Sequence, residues 1–361
     1  MTEEASPGGT TVDSAATASA TGRPAPVGVK LGSTRTVVVY HDGDGGTEAV
    51  RTPTCLAAYE DRLDGERRLL FGEEAAAEYP DSARYVLRSG LPGDEESADL
   101  AATFFEALLE RHDVPEDSVV VYAIPTIDNE DGLRNLESVV EASPVGDALV
   151  RSYPESLCGA VPAFDCLGAI DEVFLAVNAG ATTLETCAYR RGEQLAARST
   201  GSVTGDEVDR RIANYVEAET QGRVNVDLTT AREYKERHAD LQNYEPFTDV
   251  IQQPGGGAHE FTVDRGVMDA VEEYVEEAAA AVADGPLLEL ARDHPEVYDR
   301  ALDAPIVVTG GMACIPGFAD AFAAHLGETI RHDLTATRPE RPDLAAARGA
   351  HAIAARLAGR L

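Results

Sequence analysis

The chain has 361 residues, with 64 acidic against 30 basic side chains and a formal net charge of −34. So negative a surface excludes the Lys- and Arg-driven counterion release behind non-specific nucleic-acid binding, and no apolar run is long enough to span a bilayer. The length supports a substantial core in one large or two medium domains. Lys30 and Lys235 are the only lysines; every other basic residue is arginine. Acid excess with little lysine is the surface chemistry of a high-salt cytoplasm, where the Debye length falls to about 3 Å and self-repulsion is screened. An acidic protein of an ordinary cytoplasm is the alternative. The five cysteines (Cys55, Cys158, Cys166, Cys187 and Cys314) have no CxxC spacing and read as buried free thiols. The eight histidines are dispersed, so no zinc site is expected.

Met1 to Pro26 is rich in Thr, Ser, Ala, Gly and Glu, and reads as a disordered cytoplasmic tail with no apolar stripe for a membrane-bound helix. From Val27 two strands meet at a Gly32-Ser33-Thr34 turn, with a further turn over Asp42 to Gly46. Ser97 to Arg111 is a helix with Leu100, Phe104, Phe105, Leu108 and Leu109 on one face and Ser97 as N-cap. Ser118 to Pro125 is a buried strand, Leu133 to Ala142 a helix, and a second helix starts at Pro154. Val173 to Val177 then repeats the opening pattern: a small-residue turn over Asn178 to Thr183 leads into the strand Leu184 to Tyr189. Two such units far apart in sequence predict two similar α/β domains facing each other. Helices follow over Gly205 to Glu219, Thr229 to Leu241 and Val267 to Ala283. Ile306 to Thr309 is a third buried strand, followed by Gly310-Gly311, a helix from Ile315 to Leu326 and a last helix over Asp343 to Leu357.

Hairpins tipped with Gly, Ser and Thr suit a phosphate chain. Backbone N–H groups approach phosphate oxygens closely and hydroxyls add donors. Gly310-Gly311, between strand and helix, suits close approach of a flat base or ribose. Singly, each is more often only a turn; the three in this order are far more specific.

This order resembles the superfamily of actins, sugar kinases and heat-shock chaperone ATPases. Val27 to Thr36 resembles its first phosphate motif, Leu175 to Thr183 its second, and Ile306 to Gly317 its adenosine motif in the MreB form. Val119 to Pro125 with Pro154 to Ala160 resembles the first connecting region, and Asp343 to Ala350 the second. Gly205 to Asp209 resembles an MreB segment of the second domain, and Ala231 to Glu236 a helix that contacts adenine and ribose in actins. The match is nearest to MreB-type actins and haloarchaeal actins of the salactin type. It implies a two-domain actin-like ATPase fold, with duplicated ribonuclease H-like domains around a nucleotide cleft. Domain I would comprise 27–177 and 328–361, and domain II 178–327. The nucleotide would be ATP, with GTP as the alternative. It would be bound by Lys30, Gly32, Ser33, Thr34, Asn178, Gly180, Thr182, Thr183, Arg232, Lys235, Glu236, Gly310, Gly311 and Met312.

Three positions depart from the family pattern. Lys30 and Asn178 stand where it has aspartates, and Tyr153 stands where it has the acid or amide that positions water. The resemblance thus implies nucleotide binding with a weakened role for Mg2+, slow or impaired hydrolysis and no assigned catalytic residue. Glu155 lies one residue past the proline and is expected off the reacting face. Lys30 reads either as a snorkelling lysine at a strand end or as a fixed cation against phosphate. Lys235 reads either as a solvated helix residue or as a ribose or base contact. As a partner the resemblance implies the chain itself, as a filament in cell shape or intracellular organisation. The alternative is a non-polymerising ATP-binding regulator or enzyme of the same fold. No nucleic acid and no direct membrane anchor are expected.

Overall fold

A computed structural model describes residues 23–41, 45–164, 167–252 and 257–361. Most of the tail read at 1–26, Asp42 to Asp44 of the following turn, and Cys166 lie outside the described residues. The first strand opens at Ala25, inside the stretch read as tail.

Two five-stranded sheets of identical topology carry the fold. In the first, Ala25–Leu31 lies between antiparallel Arg35–His41 and parallel Ser118–Ile124; Thr47–Pro53 and Leu149–Pro154 are the edges. In the second, Val173–Ala179 lies between antiparallel Leu184–Arg190 and parallel Ile306–Thr309; Glu193–Thr200 and Ala336–Thr337 are the edges. The duplication expected from the repeated strand–turn–strand pattern is therefore present. The central strands are buried along most of their length, which is why they read as unbroken apolar runs.

The limits expected at 177/178 and 327/328 fall inside the strand Val173–Ala179 and the helix Phe318–Ile330. Val173–Ala179 pairs as one strand within the second sheet, so Asn178 and Ala179 belong to the strand instead of opening the turn. Ala336–Thr337 extends that sheet on its far side. By sheet membership the second half runs from Val173 to Thr337.

Helix ends follow local capping. Glu95–Arg111 starts two residues before Ser97, because the Asp94 side chain accepts from the Ser97 N–H at 2.8 Å. Its Phe104, Phe105, Leu108 and Leu109 are buried, each contributing about 1.5–3 kcal/mol relative to exposure. Phe318–Ile330 starts later than Ile315, because a short turn over Met312–Cys314 and the left-handed Gly317 (φ 80°) precede it.

Two helices connect the halves. Glu155–Ala160 and the alanine-rich Ala345–Ala358 cross in close contact; a Cβ on Gly349 would collide with the Cys158 carbonyl. Cys55, Cys158 and Cys187 are buried, but Cys314 is exposed, so the expectation of buried thiols fails there.

Candidate functional site

The two expected phosphate hairpins face each other. The Ser33 and Thr182 hydroxyls lie 3.0 Å apart across the gap between the halves. Ser33 Oγ also accepts from the Gly90 N–H at 2.7 Å, which fixes the tip of the first hairpin. The second is closed by the Gly180 N–H donating to the Thr183 carbonyl at 2.9 Å.

Beside this bridge lies a cavity of about 370 Å³. Of the residues expected to bind a nucleotide, Lys30, Thr34, Asn178, Gly180, Arg232, Lys235, Glu236, Gly310, Gly311 and Met312 line it. Gly32, Ser33, Thr182 and Thr183 do not; they belong to the hairpin tips. The Gly32 position is tight, since a Cβ there would lie 2.6 Å from the Arg35 carbonyl and from Lys30 Nζ.

The floor corrects the sequence reading of Glu155. Its carboxylate is 3.3 Å from Lys30 Nζ and accepts from Asn178 Nδ2 at 3.0 Å. Glu155 thus joins the first sheet, through Lys30, to the second, through Asn178, and it lines the cavity. Tyr153, which occupies the expected acid position, is half-buried among apolar side chains such as Leu149, Ile170 and Phe174. The strand Leu149–Pro154 ends at Pro154, and Glu155 opens the helix that follows it.

One wall is the helix Leu228–His238. Asp209 on the neighbouring helix, only 1 % exposed, sits 2.5 Å from Lys235 Nζ and 3.1 Å from Arg232 Nε. Arg232 also reaches Asp206 at 3.1 Å, and Lys235 donates to the Gly205 carbonyl at 2.7 Å. Lys235 is therefore neither a solvated helix residue nor a free donor. Burial pulls its ammonium below the ordinary lysine value, while Asp209 opposes the shift. Sequence reasoning noticed Asp206 and Asp209 only as part of a family segment and missed their role as anchors.

The opposite wall comes from the strand Ile306–Thr309 and the glycine-rich turn after it. Gly310 has φ 90°, and a Cβ there would collide with the Ala179 carbonyl, so glycine is required. Gly311 has nothing within 4 Å of the position a Cβ would take; it faces the open cavity. Met312 is buried in the core of the second half. At the mouth, Arg35 pairs with Glu236 at 3.2 Å, and Arg51 and Arg341 pair with Asp343 at 3.3 and 3.0 Å. Among the described lining residues Lys30, Arg35, Arg51, Arg232, Lys235 and Arg341 outnumber Glu155, Glu236 and Asp343 two to one. With Asp206 and Asp209 behind Arg232 and Lys235, six cations face five carboxylates there, a near balance in a chain of net charge −34.

The family described as Salactin matches residues 24–358. The chain belongs to the Salactin family. It is 60% identical over 336 residues to Salactin of Halobacterium salinarum, covering 93% of this chain and 92% of that one. Among solved structures it is similar to MreB5 of Spiroplasma citri bound to ADP (TM-score 0.70, 18% identity, 92% of this chain and 97% of that one). The same protein bound to AMPPNP gives a TM-score of 0.72 at 18% identity, with the same coverage. A MamK double helical filament gives 0.72 at 20% identity, covering 93% of this chain and 98% of that one. At these identities the likeness establishes the actin-like fold of MreB and MamK. Among the described residues no helix is long and apolar enough to cross a membrane.

Proposed function

We propose that this protein is a cytoskeletal actin that binds ATP between its two hairpins and polymerises into filaments in a high-salt cytoplasm, in cell shape or intracellular organisation. The observation that carries this reading is the cleft at the meeting point of the Ser33 and Thr182 hairpins, with Lys30 at its floor and open space beside Gly311. The nucleotide complexes of MreB5 and the filament of MamK, proteins of the same fold, support it. Gly311 leaves room for a flat base or ribose beside the helix bearing Arg232 and Glu236. Gly180 and Thr34 face the phosphates, and Lys30 meets them as a fixed cation after leaving Glu155. GTP fits the same description, and competition between the two triphosphates decides between them.

The donor set on the floor does not fit a protein-held Mg2+. The ammonium of Lys30 already neutralises Glu155, Asn178 offers an amide, and no group of three His, Cys, Asp or Glu side chains able to hold a metal occurs among the described residues. Any magnesium comes with the nucleotide's own phosphates. Glu155 is held by Asn178 on the floor beneath the hairpins, and Tyr153 stands where the family's acid or amide orients water. Hydrolysis is accordingly slow.

Polymerisation is tested by sedimentation and negative-stain microscopy in molar potassium chloride, with and without ATP. Filaments that sediment with ATP are expected. A monomer at every salt, nucleotide and protein concentration would replace the filament with a non-polymerising ATP-binding regulator.

A further inference from the structure

The floor of the cleft hides a carboxyl group that nucleotide binding does not use. Glu185 is fully buried, and the donors that act on its carboxylate are the N–H and hydroxyl of Thr126, neither in good hydrogen-bond geometry. An ionised carboxylate left so is costly, and the group holds a proton or leans on a neighbouring charge. The sheet fixes its place. Glu185 stands opposite Asn178 on one antiparallel neighbour and opposite Ser199 on the other, and such pairs share a face. Asn178 donates to Glu155, which is paired with Lys30. Thr126, following the strand Ser118–Ile124, has its hydroxyl buried beside this carboxyl. Cys187, two residues along the same strand, shares the face. The charged groups that act on Glu185 are therefore Glu155 and Lys30. Burial first, and Glu155 next, push its carboxyl up to about 8, while Lys30 pulls it down.

We propose that Glu185 is a proton-holding positioning residue, and that a triphosphate drawing Lys30 away from Glu155 brings one proton from solvent onto the Glu155–Glu185 pair. This rests on the reading that Lys30 meets the phosphates. Two events act in the same direction. The departing ammonium removes the positive charge beside the carboxylates, and the arriving phosphate adds negative charge; both raise proton affinity. The proton belongs to the pair, not to one oxygen. Only an O–H bond forms, and the buffer supplies the proton. Linkage sets the sign: binding that takes up a proton weakens as pH rises, by at most about tenfold per pH unit for one proton.

The test is calorimetric titration of the full chain with ATP in molar potassium chloride at pH 6.5 and 8.5, in buffers of different ionisation enthalpy, which counts the protons exchanged. The expected uptake is close to zero at pH 6.5, where the pair already holds its proton, and about half a proton or more at pH 8.5. Glu185→Gln, uncharged and of the same shape, abolishes the uptake while ATP still binds. Lys30→Met leaves the pair without its cation before ATP arrives, so the pair already holds more of its proton and the uptake falls, which keeps the test open if Glu185→Gln does not fold. ATP binding at pH 8.5 without proton uptake in the wild type, or with uptake unchanged in either variant, overturns this proposal alone. Absence of ATP binding at both pH values overturns the cleft reading together with it.

Discussion

The two lysines of the chain border one cleft and are held in opposite ways. Lys235 is buried, with Asp209 at 2.5 Å and the Gly205 carbonyl at 2.7 Å, all within the second half. Lys30 has a quarter of its side chain exposed and one carboxylate 3.3 Å away, on the helix that connects the halves. That carboxylate is shared with Asn178. Breaking a buried pair strands the surviving charge in a poor solvent, whereas a pair that water partly reaches can exchange one anion for another at smaller cost. Lys235 therefore builds the wall, and Lys30 is the cation a ligand can take over. A compact ammonium suits both tasks: at Lys235 it fits between a carboxylate and a carbonyl, and at Lys30 it can turn from one anion to the next, where an arginine fork would be fixed by its plane.

The largest effect should come from Asp209. In Asp209→Ala both Lys235 and Arg232 lose their buried partner, and the expected loss is about 3–5 kcal/mol of unfolding free energy. Glu155→Ala, which frees the partly exposed Lys30, should cost less, about 1–2 kcal/mol, between the values for exposed and buried pairs. Denaturant unfolding of both variants in molar potassium chloride makes the comparison. Equal losses would remove the distinction between a structural and an exchangeable lysine.

The place of both lysines was legible in the sequence, but the contrast between them was not, for physical reasons. Two lysines among thirty basic residues marked both positions as unusual, and the repeated strand–turn–strand pattern led to the duplicated sheets. Which acid each lysine meets was not legible, because that depends on contacts between segments distant in the chain. Asp209 lies 26 residues before Lys235, and Glu155 lies 125 residues after Lys30. Treating the residues around Pro154 as one helix puts Glu155 off the reacting face. In the structure Pro154 ends an edge strand and Glu155 opens the helix, and that change of element turns the side chain onto the floor. Glu185 escaped notice for a similar reason. A lone acid in an apolar strand looks like a solvent-facing position, and only the covering elements show that it is buried.

A middle-sized effect separates the lysines on the ligand side. Lys30→Ala should weaken triphosphate binding by about 1.5–3 kcal/mol, the value of one hydrogen bond to a charged group, or roughly ten- to a hundredfold. Adenosine binding should not change. With the cation supplied by the protein, wild-type ATP affinity should differ little between magnesium and EDTA, and Lys30→Asp should make it magnesium-dependent. Equilibrium binding of ATP and adenosine, with magnesium and with EDTA, tests each point. A wild type that loses ATP in EDTA, with Lys30→Ala unchanged, would show that Lys30 stays with Glu155 in the bound state.

The smallest effect belongs to the cleft mouth. Arg35, on the second strand of the first hairpin, meets Glu236, on the helix Leu228–His238 of the other half, at 3.2 Å. Both side chains are substantially exposed, at 29% and 47%. The pair resembles Lys30–Glu155 in joining the two halves, but water reaches it from outside. Exposed ion pairs contribute about 0–1 kcal/mol, and at molar salt, with a Debye length of about 3 Å, screening moves this one towards the lower end. Arg35→Ala should therefore change unfolding free energy by no more than about 0.5 kcal/mol in molar potassium chloride, and somewhat more in dilute buffer if the protein remains folded there. Because the contact spans the opening, its loss should instead speed nucleotide release, measured with a fluorescent ATP analogue, while leaving affinity within about threefold. A loss above about 1 kcal/mol at molar salt would make Arg35–Glu236 a strut of the same kind as Lys235–Asp209. Exposure would then fail as the property that separates the fixed pairs of this cleft from the exchangeable ones.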